Sequence, residues 1–187
     1  VRVSRGLVAW VVDGKTSRYR WSATPALLMA DLHRAGVWLR KPPVYHRSGI
    51  PGSGGPDWLR NDWEFVVCAS KGKLPWSDNK ACGKAPVCPP GGDPTNRTKT
   101  GKRVRVSGAV EGAAKDTGSA YQPPLVANPG NVISLAGGHL GSKFGHMTEA
   151  PYPLALAEFF VKSFCPPGGV VLDPFLGSGT TAHAAIK

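Results

Sequence analysis

The sequence predicts an α/β fold: a sheet with helices on both faces, carrying a basic and irregular insertion. Three observations support this. Apolar runs at residues 7–12, 63–69 and 170–172 read as sheet strands. Residues 24–35 and 154–162 show helical periodicity between them. From 71 to 143 that periodicity disappears, and Pro, Gly, Lys, Asn and Thr dominate. A length of 187 residues supports one domain with a real core. There is no initiator Met, Val1 opens just before an apolar run and Lys187 falls in a helix barely begun. The sequence therefore reads as a fragment truncated at both ends.

Taken in order, residues 7–12 are continuously apolar and end at Asp13 and Gly14, which suits a strand buried on both faces of a parallel sheet. Residues 15–21 are polar and basic and read as a loop. Thr24 followed by Pro25 marks a helix start, with Thr24 as cap. Ala26, Leu27, Ala30, Leu32 and His33 carry the helix to Ala35, Leu28 and Met29 widen its apolar face, and Gly36 is placed to stop it. Residues 37–41 and 63–69 read as two strands joined through a Gly- and Pro-rich loop, and such strands pair most simply as an antiparallel edge. Residues 128–133 bring back a turn and a short strand. In the helix at 154–162, Leu154, Ala157, Phe160 and Val161 share one face, and the run from Cys165 to Gly169 ends it. Trp10 and Trp38 read as core residues, and His33 and His139 as structural or solvated.

The formal net charge of +11 makes a polyanion, nucleic acid above all, the expected partner. Residues 71–143 hold eleven basic residues against four acids, most of the excess. Within them Arg97, Lys99, Lys102, Arg103 and Arg105 form the densest cluster, suited to phosphate or base contact. Trp76 and Tyr121 could stack on bases. No apolar run reaches 18 residues, so no membrane span is expected. Cys68, Cys82, Cys88 and Cys165 are too scattered for a disulfide framework. The spacing of Cys82 and Cys88 is too wide for a zinc knuckle, so no metal site is expected. A reduced, cytoplasmic protein follows.

The chemistry concentrates at residues 170–181. Val170, Val171 and Leu172 read as a buried strand that ends on Asp173, passes through Pro174, Phe175 and Leu176, and enters the turn Gly177, Ser178, Gly179, Thr180, Thr181 before a helix. The glycines permit positive φ and let a ligand approach bare backbone, while the helix start aims unpaired N–H groups at the same place. The turn matches a loose dinucleotide pattern, a weak signal alone. No Lys follows the glycines, which excludes a P-loop. The Asp, Pro and Phe between strand and first glycine suit a cofactor carrying an ammonium and a sulfonium better than a nicotinamide.

The run from Asp173 to Thr181 resembles the S-adenosylmethionine-binding motif of the DNA amino-methyltransferases, which methylate cytosine N4 or adenine N6. The run from His146 to Pro153, followed by a helix and Pro166-Pro167-Gly168-Gly169, is similar to the cofactor-side motif preceding it in the permuted, beta-type members. The resemblance implies a Rossmann-like sheet in which 1–71 belong to the catalytic half, 72–144 to target recognition and 145–187 to the cofactor half. It implies that His146, Ala150, Pro151, Tyr152, Pro153, Asp173, Phe175, Gly177, Ser178, Gly179 and Thr180 bind S-adenosylmethionine. Double-stranded DNA is the implied partner, in a bacterial or phage-infected cell, with a cognate restriction endonuclease as a candidate second one. The family's catalytic tetrapeptide, Asp or Ser followed by Pro-Pro and an aromatic, is not in this sequence; Pro42-Pro43 lies between Lys41 and Val44. It is expected upstream of Val1, so this fragment carries no catalytic residue and is expected to be inactive. Two other readings compete: a nicotinamide-dependent oxidoreductase using the same turn, and a non-catalytic nucleic-acid-binding module.

Overall fold

The computed structural model describes residues 4–48, 54–86, 95–97, 103–105, 124–136 and 152–187, with 95–97 and 103–105 described in their backbone alone. It forms two compact units, Val1–Cys82 with Gly130–Lys187, and Gly83–Pro129.

The first strand, β1 (Val8–Val12), is followed by a small hairpin, β2 (Thr16–Ser17) and β3 (Arg20–Trp21), where the sequence suggested a loop. The helix α1 spans Thr24–Arg34. Its cap position is Ala23 in the left-handed region, with no side-chain cap, so Thr24 is the first helical residue instead of the cap. Gly36 stops the helix as expected, at φ 71°. Only Pro25 of α1 is fully buried, and Leu27, expected on the apolar face, is 56% exposed.

Two strands follow, β4 (Trp38–Leu39) and β5 (Val44–Ser48). They lie end to end along the same side of β6 (Trp63–Ser70), with Leu39 opposite Ala69 and Val44 opposite Phe65. Pro42 and Pro43 carry no N–H, so the ladder is interrupted between them. It is bridged by the Arg40 N–H to Cys68 O (2.8 Å) and the Val66 N–H to Pro43 O (3.0 Å). The antiparallel pairing of β4 with β6 matches the sequence reading, but β6 is central and not an edge: β1 pairs antiparallel along its other side. That corrects the expectation of a parallel neighbour for β1. The one parallel ladder among the described residues joins β5 to β9 (Val132–Ala136), which follows the short hairpin β7 (Thr95–Arg97) and β8 (Arg103–Arg105). Among the described residues, this hairpin, a bridge between Lys84 and Ala127 and β9 itself are the regular pairings within the insertion.

The core forms where β6 is covered. Tyr45, Val66, Cys68, Ile133 and Leu156 are buried together, with Leu7, Val11, Leu135, Tyr152, Phe159 and Phe160 packed around them. Leu156 and the two Phe come from α2 (Leu154–Phe164), so α2 covers this face. Successive strand residues point to opposite faces, so Val67 and Ala69, both 0% exposed, belong to the other face, where α1 packs on β4 and β6. Within α2 the fully buried side chains are Leu156, Ala157 and Ser163, a stripe rotated from the expected one, which shared only Ala157. Trp38 is 56% exposed and is not a core residue.

The last expectation to fail is the strand at 170–172. The segment forms no strand, and Val170 is 93% and Leu172 71% exposed. A strand needs a neighbour to take its N–H and C=O groups, and none of the described strands runs beside it. The turn and helix that follow do form, with α3 at Thr180–Ile186.

Leu156, 1% exposed at the centre of the cluster, gives a direct test of this packing. Leu156→Ala is expected to lower the unfolding free energy by about 2–5 kcal/mol in urea titrations. Burial pushes the Cys68 thiol up to about 12. A thiol reagent at pH near 8 should therefore modify Cys82 and Cys165, both partly exposed, and reach Cys68 only on unfolding, as read by peptide mass mapping.

Candidate cofactor-binding site

The site is built where α3 returns to α2. Thr180 and Ala184 of α3 are buried (5% each), and Lys187 Nζ donates to Glu158 Oε1 of α2 at 2.7 Å. Lys162 reaches the other carboxylate oxygen of Glu158 at 3.6 Å. The Lys187 hydrogen bond, helped by Lys162, holds the Glu158 carboxyl below its ordinary pKa. These contacts fasten the C-terminal end of α3 to the middle of α2, and the Tyr152 and Thr181 hydroxyls join the start of α3 to the head of α2.

In that turn Gly177 and Gly179 adopt φ 54° and 88°, so the sequence's expectation of positive φ holds at both. The Gly179 N–H bonds Leu176 O at 2.9 Å, and a Cβ at position 179 would meet no atom within 4 Å. Glycine is required there by its backbone angle, and open space adjoins it.

Asp173 precedes the turn and is held at both oxygens. Oδ1 accepts the Phe175 N–H at 2.9 Å, closing an Asx-turn over Pro174. Oδ2 accepts the Thr181 hydroxyl at 2.5 Å, and the Tyr152 hydroxyl lies 3.5 Å away. The Tyr152 and Thr181 hydroxyls also bond each other. Three segments thus meet at one carboxylate: the end of the apolar run, the first turn of α3 eight residues on, and the entry to α2 21 residues before Asp173. Tyr152 is pinned by its position just before the buried Pro153, which sits at the N-terminal cap position of α2. Burial raises the Tyr152 phenol above its ordinary value of 10.0; the Thr181 hydrogen bond opposes this, and the nearby Asp173 charge adds to it.

Of the residues singled out from sequence, Tyr152, Pro153, Asp173, Phe175, Gly177, Ser178, Gly179 and Thr180 are therefore all in this neighbourhood, while His146, Ala150 and Pro151 lie outside the described residues. Phe175 presents its ring to solvent, 85% exposed, whereas Thr180 is buried. Thr181 was missed as a site residue, although it sits in the quoted motif. The signal that could have found it is its spacing: eight residues past Asp173, it opens a helix that must fold back over that acid. In the basic cluster Arg97 pairs across the β7–β8 hairpin with Arg103, and Arg105 with Thr95. Lys99 and Lys102 lie outside the described residues, as do Tyr121, His139 and Cys88; Trp76 is partly exposed. Among the described residues no group of three metal-ligating side chains occurs, and no helix is long and apolar enough to cross a membrane.

Because the folded state holds the Tyr152 proton more tightly, its contribution to stability is present below about pH 10 and is lost as pH rises through the raised value. An ultraviolet difference titration of Tyr152→Phe against the parent should remove a step above pH 10. Loss of an ordinary step near pH 10 instead would contradict the buried network.

The chain is similar to known DNA methyltransferases. The profile of the N6/N4 DNA methylase family matches residues 4–187. An orphan methyltransferase of Bacillus amyloliquefaciens, M.BamHII, is 28% identical over 190 residues, 96% of this chain and 65% of that protein. The type II methyltransferase M.ScaI of Streptomyces caespitosus is 38% identical over 77 residues, 39% of this chain and 25% of that protein. Among solved structures, the cytosine-N4-specific PvuII DNA methyltransferase aligns with TM-score 0.60 at 16% identity, covering 96% of this chain and 54% of its own. The chain thus spans less than two thirds of the length of each. The family match runs over nearly the whole sequence, and the chain belongs to the N6/N4 DNA methylase family.

Proposed function

We propose that the protein to which this chain belongs transfers a methyl group from S-adenosylmethionine to the exocyclic amino group of cytosine (N4) or adenine (N6) in double-stranded DNA. The observation that carries this reading is the Asp173 carboxylate held by Thr181 and the Phe175 N–H beside a left-handed glycine turn.

The residues present fit the cofactor. Oδ1 of Asp173 accepts only the Phe175 N–H and keeps a lone pair, so the group can accept from an ammonium there while the hydroxyls on Oδ2 keep it oriented. The exposed Phe175 ring offers an apolar face, and the space beside Gly179 lets a ligand reach the backbone of Gly177, Ser178 and Gly179. The segment containing His146, Ala150, Pro151, Tyr152 and Pro153 would close over the methionine end. S-adenosylmethionine, when bound, supplies a methyl group made electrophilic by its sulfonium. The chain's own work is to hold and orient: Thr181 keeps Oδ2 of Asp173 in place, and Tyr152 ties that oxygen to α2. A target base must leave its stack to present its amino group, and the intact protein would extrude it.

We assign residues 1–71 to the catalytic half, 72–144 to target recognition and 145–187 to the cofactor half. Arg97, Lys99, Lys102, Arg103 and Arg105 would contact DNA phosphates or bases. The catalytic tetrapeptide matches no segment of these residues, so the roles given to this chain are cofactor and DNA binding, with turnover requiring the tetrapeptide. The names of the relatives, a type II and an orphan methyltransferase, suit a cytoplasmic DNA-modifying enzyme, with or without a cognate restriction endonuclease.

Calorimetric titration of the chain with S-adenosylmethionine tests the reading. Asp173→Asn removes a charge-assisted hydrogen bond, and affinity should fall by about tenfold or more. Unchanged affinity in a correctly folded variant would remove Asp173 from the site.

A further inference from the structure

The β2–β3 hairpin takes no part in the core or in the cofactor turn. Its backbone closes tightly: Thr16 pairs with Trp21 and Ser17 with Arg20, and the Ser22 N–H bonds Lys15 O at 3.0 Å. The two turn residues are Arg18 (φ 49°) and Tyr19 (φ 61°). A two-residue turn with both angles positive ordinarily takes Asn-Gly, because larger side chains are strained there. Two long side chains at these positions point to a use for the side chains themselves.

A second segment meets the tip. The Gly55 N–H bonds Trp58 O at 3.1 Å, and the Trp58 indole occupies the place a Cβ on Gly55 would take. The Trp21 indole lies over Gly14 in the same way. Both indoles are therefore seated on bare backbone and yet remain 40% and 47% exposed, respectively. Tyr19, 68% exposed, meets Trp58 edge to face at 6.0 Å. Lys15, Arg18 and Arg20 are interleaved with these rings and exposed, and among the described residues none of the three forms an ion pair. The hairpin from Lys15 to Trp21 contains no acid.

Exposed, preoriented rings alternating with unpaired cations fit unstacked nucleic-acid bases and their phosphates. A protein partner would favour a centre depleted of charge, which this is not. We propose that Tyr19, Trp21 and Trp58, with Lys15, Arg18 and Arg20, form a DNA-contacting surface distinct from the Arg97–Arg105 hairpin, which stacks bases released from the duplex. This rests on the reading of DNA as the substrate, since base extrusion exposes unpaired bases.

Photocrosslinking tests it on the unmodified chain. A single strand of about 20 nucleotides carrying 5-iododeoxyuridine should crosslink within the peptides containing Tyr19 and Trp21 or Trp58, as read by mass spectrometry. By fluorescence anisotropy, Tyr19→Ala with Trp58→Ala should weaken binding of the same strand about tenfold or more, leaving the salt dependence unchanged. Arg18→Gln with Arg20→Gln should instead lower the slope of log affinity against log salt by about 1.4. Strand binding with crosslinks only elsewhere overturns this surface and leaves the DNA reading standing. Failure of the unmodified chain to bind either single-stranded or duplex DNA overturns both, and the crosslinks decide the matter should an aromatic variant fold poorly.

Discussion

The burial of β6 on all sides is the constraint from which the other positions follow. Its residues Val66, Val67, Cys68 and Ala69 are at most 4% exposed, so neither face nor either edge of this stretch meets water. Every N–H and C=O along it must then find a partner in protein, and β1 on one side with β4 and β5 on the other supply them. Once β5 is fixed, the parallel ladder places β9, and Tyr45 and Ile133 complete the floor on which Leu156 seats α2. Tyr152, at the head of α2, brings that order to Asp173. The position of the carboxylate is thus inherited, element by element, from one apolar strand.

The turn itself depends less on the sheet than its motif suggested. With no neighbouring strand beside 170–172, its geometry is held by the Asx-turn on Asp173, the Thr181 and Tyr152 hydroxyls and the packing of α3 on α2. Hydrogen bonds to a carboxylate are the stronger kind, and two hydroxyls tied to each other restrict how that carboxylate can rotate. The local chemistry preserves the shape of the site where the expected secondary structure does not form.

Local signals in the sequence were legible where local physics decides the outcome. Gly36, Gly177 and Gly179 have the positive φ their positions suggested, the strands at 8–12 and 63–70 lie where apolar runs placed them, and the short strand read at the end of 128–133 extends to Ala136. What was hidden depends on distant partners. The apolar run at 7–12 reads alike for parallel and antiparallel neighbours, and only the register Val11 opposite Val66 settles it. β5, with His46 and Arg47 in its middle, follows two prolines that mask a strand, and it forms because β6 and β9 flank it. The stripe of α2 was misjudged because the order of its apolar residues permits several faces, and the sheet selects Leu156. At the turn, the positive φ of Gly177 and Gly179 was readable from the motif, whereas the bond from Thr181 to Asp173, at which only a spacing of eight residues hinted, depends on how the helix folds back.

The unit Gly83–Pro129 leaves and re-enters the chain at neighbouring points, since Lys84 and Ala127 form an antiparallel bridge with the Ala127 N–H on Lys84 O at 2.9 Å. An excursion pinned at its stem imposes its closure cost there, and that cost grows only logarithmically with length, about 0.6 kcal/mol for each doubling. Segments of very different size and composition can therefore be exchanged above such a stem while β5 and β9 still find each other. The sheet and the Gly177–Gly179 turn can remain constant while the intervening unit changes in length and composition, so one scaffold accommodates many different excursions above the same stem without being rebuilt.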